Sequence, residues 1–220
     1  MIANHVHQAL AQVRELQQKI LERQRFKGYS GRARALTGTL ALLTAAIMNS
    51  SMFPKSVNTV LLGWGIMFLI GFFLNYGSLF HWFLFDPRVK RDFRRLKPAL
   101  DAIPALFVGG VLTLTLIKNG DYHYLFGTWM CLFGLANLSS RHVLPPKIWL
   151  VGLFYVVCGS LFFLNSGISF LNPWPVGIVF FIGEWAGGIV LHFDDFPQKK
   201  LSEIIAMLIF SKEDTHVHQA

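Results

Sequence analysis

Residues Val57–Phe85 read VNTVLLGWGIMFLIGFFLNYGSLFHWFLF, a stretch without a single Asp, Glu, Lys or Arg. A helix needs about 20 apolar residues to cross the roughly 30 Å hydrocarbon core of a bilayer. The stretch therefore predicts a membrane-spanning helix, and its length of about nine residues beyond that need favours tilting or projection past the core. Its many aromatic residues include Trp82, which is placed to anchor one interface.

Five more apolar segments flank this one, and each is about long enough to cross a membrane. With Val57–Phe85, the six segments are Ala33–Phe53, Val57–Phe85, Ala99–Ile117, Tyr122–Ser139, Ile148–Leu164 and Trp174–Phe193. Charged residues make up 15% of the chain, well below the roughly one quarter typical of soluble domains. The sequence thus predicts an all-α, polytopic bundle of six transmembrane helices.

The positions of Lys and Arg predict the orientation of these segments. Of the 20 such residues, 18 fall before the first segment or at its start, in the second and fourth loops, or in the tail. The opposite side has only Lys55 and Lys118. Because cytoplasmic loops carry the excess of positive charge, this alternation predicts six crossings with both termini cytoplasmic, in a plasma membrane or a bacterial inner membrane.

The sequence divides into three regions by composition. We predict that residues 1–32 form a cytoplasmic N-terminal helix and linker. Residues 33–193 then form the transmembrane domain, and residues 194–220 form a cytoplasmic tail. Within the tail, the amphipathic stretch Leu201–Phe210 is too short to span and predicts an interfacial helix. The two cysteines, Cys131 and Cys158, lie in apolar segments and are interpreted as buried side chains.

The net charge of +8 is explained by topology and contact with anionic lipid headgroups, so we expect no nucleic-acid partner. A sharper alternative is that the basic patch of the second loop binds an acidic protein. This patch comprises Arg88, Lys90, Arg91, Arg94 and Arg95.

Glu184 is the strongest candidate for a functional side chain, because a carboxylate in the middle of a span is costly and faces protein or water. One interpretation has it tie the sixth segment to a neighbour, with Asn75, Ser78 or Asn137 as partners. In the others it carries a proton or cation along a transport path, or it is catalytic. The small residues Gly183, Gly187 and Gly188 predict a face where another helix packs closely.

His81 and His192 form a second candidate, since both are predicted near the cytoplasmic ends of their spans. Two imidazoles on facing helices could ligate a haem or a metal, whereas the simpler interpretation has them bonded to backbone or headgroups. The sequence His-Val-His-Gln-Ala occurs twice, starting at His5 and at His216, and a metal bound between the termini is a further interpretation.

Signatures of chemistry are otherwise few, since the chain has no phosphate-binding glycine loop, zinc-helix motif or nucleophile elbow. The leading hypothesis is a non-enzymatic scaffold, sensor or accessory subunit, partnered by another membrane subunit or a second copy of itself. The alternatives are a small transporter or channel using Glu184, and a haem- or metal-binding redox protein or enzyme using His81 and His192. The sequence does not identify a cofactor, and our first expectation is that the protein binds none.

Overall fold

A computed structural model of the chain describes residues 28–85, 103–140, 144–165 and 167–210, with isolated positions 10, 12, 13, 16 and 100. In this part of the chain all regular structure is helical, without strands, which confirms the all-α prediction. The helices are α1 (Gly31–Asn49), α2 (Val57–Phe85), α3 (Ile103–Asn119), α4 (Tyr124–Ser139), α5 (Ile148–Leu164), α6 (Trp174–Asp195) and α7 (Leu201–Ile209).

Local sequence sets where the helices begin. At the start of α1, the hydroxyl of Ser30 accepts a hydrogen bond from the Ala33 N–H at 3.2 Å, which caps one otherwise unpaired donor. At the start of α6, Asn172 accepts from the Trp174 N–H, and Pro175 lies in the first turn, where its missing N–H costs nothing. Both helices carry the site described below.

The helices are arranged as an arc rather than in sequence order. α1 packs most extensively against α6 and α4 against α5, while contacts between α5 and α6 join the two pairs. α2 packs on α1, and α3 on α4, so the main contacts run in the order α2, α1, α6, α5, α4, α3. The two ends of the arc, α2 and α3, do not pack extensively against each other.

Reciprocal glycines bring α4 and α5 together. A Cβ atom built on Gly134 would lie 2.7 Å from the Gly152 carbonyl oxygen, and one on Gly152 would lie 2.9 Å from the Gly134 oxygen. Gly127 and Gly159 repeat the arrangement one heptad away, at 3.0 and 2.9 Å. The two backbones therefore approach to a distance that no side chain at these positions would allow.

Helix α7 folds back against the ends of α1 and α6. Ile204 is fully buried and Leu208 is 5% exposed, and both belong to a cluster that includes Ala35 and Trp185. The Arg32 side chain donates to the Met207 carbonyl oxygen at 2.9 Å. The apolar face of the predicted interfacial helix thus packs against protein, while its other face is exposed.

Within the described parts of the chain, two helices meet the length and composition that a membrane crossing requires, namely α2 and residues Trp174–Asp194 of α6. The helices α3 and α5 are apolar but have 17 residues each. This gives weak support for membrane association, because a core helix of a soluble protein can have the same length and composition. The six-span arrangement remains a prediction.

Two sequence predictions fall largely or wholly outside the described residues. They are the basic patch Arg88, Lys90, Arg91, Arg94 and Arg95, and the N-terminal helix, of which four positions are described. Those four (Leu10, Gln12, Val13 and Leu16) are helical and exposed. Both His-Val-His copies also lie outside.

Candidate functional site

A buried ion pair joins the first turn of α1 to the middle of α6. The Arg34 guanidinium donates from Nε to Glu184 Oε2 at 3.0 Å and from Nη2 to Oε1 at 2.9 Å. Arg34 is 8% exposed and Glu184 is 3% exposed. This two-point geometry matches the planar guanidinium to the carboxylate, and it satisfies both oxygens of the acid.

Two neighbouring helices complete the network around this pair. From α5, the fully buried Tyr155 hydroxyl donates to Glu184 Oε1 at 3.0 Å. From α4, Asn137 Oδ1 accepts from Arg34 Nη1 at 3.1 Å, while its own Nδ2 donates to the Phe133 carbonyl oxygen. We call Arg34, Asn137, Tyr155 and Glu184 the polar network; it connects four helices through satisfied hydrogen bonds.

The glycines of α6 make room for the polar network. An added Cβ at Gly187 would lie 2.5 Å from Arg34 Cζ, and one at Gly183 would overlap the Tyr155 ring. An added Cβ at Gly188 would lie 2.6 Å from the Gly31 carbonyl oxygen. These small residues therefore admit a guanidinium, an aromatic ring and a helix backbone in turn.

The structure gives Glu184 partners other than those named from the sequence. Asn137 contacts Arg34 rather than the acid itself. Asn75 donates to Thr37 Oγ1 and to the Gly71 carbonyl oxygen, both at 2.9 Å, and so ties α2 to α1. Ser78 lies apart from the network, beside His81 in a separate pocket.

A cavity of about 390 Å³ borders the polar network and is partly open to the outside. It lies among α1, α2, α3, α4 and α6, within the arc. About a third of its lining residues are aromatic, and among them the Phe68 and Trp129 rings contact each other with centroids 5.0 Å apart. The volume lies within the range of roughly 300–1,000 Å³ found for small-molecule pockets.

His81 and His192 lie on helices that both pack against α1. His81 stacks at a tilt against Phe85 and lines a pocket with residues 28–30. His192 faces Gly31, and its Nδ1 is buried without a hydrogen-bond partner. The sequence hypothesis of a shared ligand requires α2 and α6 to face each other, whereas each packs mainly on α1. Among the described residues, no three His, Cys, Asp or Glu side chains form a group suited to a metal ion.

Sequence reasoning missed two members of the polar network, Arg34 and Tyr155. Arg34 lies at the start of its segment, where topology alone explains its charge. Tyr155 is the one hydroxyl-bearing aromatic in an otherwise apolar run, which is the signal that could have identified it.

Comparisons of the chain with protein-family models, with curated proteins and with solved structures give no match.

Proposed function

We propose that the chain is a six-span integral membrane protein that acts without catalysis, as a scaffold, sensor or accessory subunit of a membrane complex. The observation that carries this proposal is the pairing of Glu184. Both of its oxygens accept hydrogen bonds, from Arg34 and Tyr155, inside a network that connects four helices. An acid held in this way is suited to fixing the arrangement of helices rather than to carrying a proton or a metal.

The exterior supports the membrane part of the proposal. On α3, Gly109 is the one buried residue described, whereas Phe107 and Leu114 are each 71% exposed. On α2, Phe73 and Phe85 are 69% and 71% exposed. Apolar surfaces of this extent need lipid or another subunit to cover them.

Native mass spectrometry of the untagged protein, extracted in mild detergent from its own membrane, tests the accessory role. We expect a mass that includes a second polypeptide or a repeat of this chain. A strictly monomeric protein, with no polypeptide cross-linked to it in the membrane before extraction, would contradict the proposal.

The alternative of a transporter or channel is favoured by one observation, namely that Glu184 also lines the cavity. Flux measured in proteoliposomes, with protein carrying Tyr155→Phe, separates the two functions. This substitution removes one hydrogen bond to Glu184 but leaves the Arg34 pair in place. A substrate flux that depends on pH, with a pH dependence that differs in the variant, would support transport. An absence of flux would support the structural role.

A further inference from the structure

The cavity beside the polar network is long and narrow. Its lining residues on α2 run from Leu61 to Tyr76, which at 1.5 Å per residue is about 22 Å along the helix. A compact space of about 390 Å³ would be much shorter than this. The shape therefore suits an extended chain better than a globular ligand.

The charge of the cavity is balanced. Of the described residues that line it, Arg34 and Glu184 alone are charged, and they neutralise each other. A ligand with a net charge would find no counter-ion there, and removing its charge from water would be costly. The cavity thus favours an uncharged ligand.

Most polar groups of the wall are already paired. Thr37 bonds to Asn75, and Asn137 bonds to Arg34. The ring of Trp64 lines the cavity, whereas its indole nitrogen is buried out of reach of a water-sized molecule. The wall therefore offers a ligand mainly apolar contact and few free hydrogen-bonding groups.

The position of the cavity gives such a ligand a route of entry. The cavity lies between α2 and α3, the ends of the arc, which do not pack extensively against each other. Gly65 of α2 and Ala105 of α3 both line it, and Gly65 is exposed. An added Cβ at Gly65 meets nothing within 4 Å, so the wall is open at that point.

From these four features we infer that the cavity binds an uncharged lipid with one long apolar chain. The chain would lie along the aromatic wall toward Tyr76, and entry would be lateral, between α2 and α3. A long-chain alcohol and a quinone with an alkyl chain share this chemistry.

Binding to the full-length protein, purified in mild detergent, tests the inference by native mass spectrometry with three probes. They are hexadecanol, a benzoquinone bearing a ten-carbon chain, and hexadecanoate as the charged counterpart. We expect at least one uncharged probe to bind about tenfold or more tightly than hexadecanoate. Retention of the quinone alone would identify a ring-bearing lipid, whereas retention of the alcohol alone would identify a simple chain. Failure of both uncharged probes, or equal binding of hexadecanoate, would overturn the inference.

Two glycines of the same helix provide a matched pair of variants. Gly65→Leu places a side chain in the cavity, and we expect binding to fall about tenfold or more. Gly77→Leu adds the same side chain where an added Cβ also meets nothing within 4 Å, but away from the cavity, and should bind as the wild type does. Equal binding by both folded variants would overturn the inference.

Discussion

Arg34 and Glu184 depend on each other, because both are buried charges and, among the described residues, they neutralise each other. Burying an ion pair costs desolvation that its attraction only partly returns, so the pair is weak evidence for stability as such. The pair matters to the stability of the protein when one member is removed, since the remaining charge then stays in a medium that cannot solvate it.

Glu184→Gln should therefore destabilise the protein by about 3–5 kcal/mol, because it strands the Arg34 guanidinium. Reversible unfolding in mixed detergent micelles measures the change in the free energy of unfolding. The double variant Arg34→Met with Glu184→Met should recover a large part of the loss. Glu203→Gln, at an exposed position of α7, is the control and should change little. A single variant as stable as the wild type would contradict the role assigned to the pair.

At the scale of elements, the contact between α4 and α5 depends on glycines that face each other. The two backbones lie so close together that an added Cβ atom would crowd the facing carbonyl oxygen. This occurs at Gly134 and Gly152, and again at Gly127 and Gly159. Since Tyr155 lies on α5 and Asn137 on α4, the separation of these helices also sets the geometry of the polar network.

Gly134→Leu should force α4 and α5 apart and destabilise the protein by about 1–3 kcal/mol or more, as overpacking does. Gly110→Leu on α3 is the matched control, because an added Cβ there meets nothing within 4 Å. Thermal unfolding in detergent compares the two variants. Equal unfolding temperatures would show that the close glycine contact is not needed.

The attachment of α7 is a second property at this scale. Ile204 is fully buried, whereas Ile209 is 57% exposed on the same helix. Ile204→Asp should detach α7 and raise the rate of tryptic cleavage after Lys199 and Lys200 about tenfold or more, because local opening exposes the bond. Ile209→Asp should leave the rate unchanged. Equal rates in the two variants would mean that the buried contact does not hold α7.

At the scale of the whole molecule, the proposed topology can be tested loop by loop. Single cysteines are introduced in a variant lacking Cys131 and Cys158, and intact cells are treated with a membrane-impermeant maleimide. Labelling from outside is expected at Ser51, Lys118 and Gly167, and labelling only after lysis at Lys147 and Gln198. One position that labels from the opposite side would remove the six-span topology.

The sequence predicted the helices far better than it predicted their partners. The predicted segments Val57–Phe85 and Ile148–Leu164 coincide with α2 and α5, because runs of apolar residues and the breaks between them are local properties. Which face meets which helix depends on side-chain shape across the whole chain. Glu184 stands out in the sequence because a carboxylate in an apolar segment is energetically costly. Nothing in the sequence around Arg34, 150 residues earlier, indicates that it is the partner of this acid.

The glycines of α4 and α5 make the same point. Their spacing of seven residues is visible in both segments, yet the spacing alone does not pair Gly134 with Gly152. The cavity is still harder to predict, because it arises from the gap between α2 and α3, two helices at opposite ends of the arc.

The separation of Arg34 and Glu184 along the chain has a consequence for biogenesis. At about 5–20 residues per second, a ribosome needs roughly 8–30 s to add the 150 residues between them. In the proposed membrane arrangement, the Arg34 guanidinium of α1 is therefore not paired with Glu184 until α6 has emerged from the ribosome. Chains that stop before Glu184 cannot neutralise it, so this charge distinguishes finished molecules from interrupted ones. A quality-control protease that recognises exposed polar groups within the bilayer would then degrade the interrupted chains.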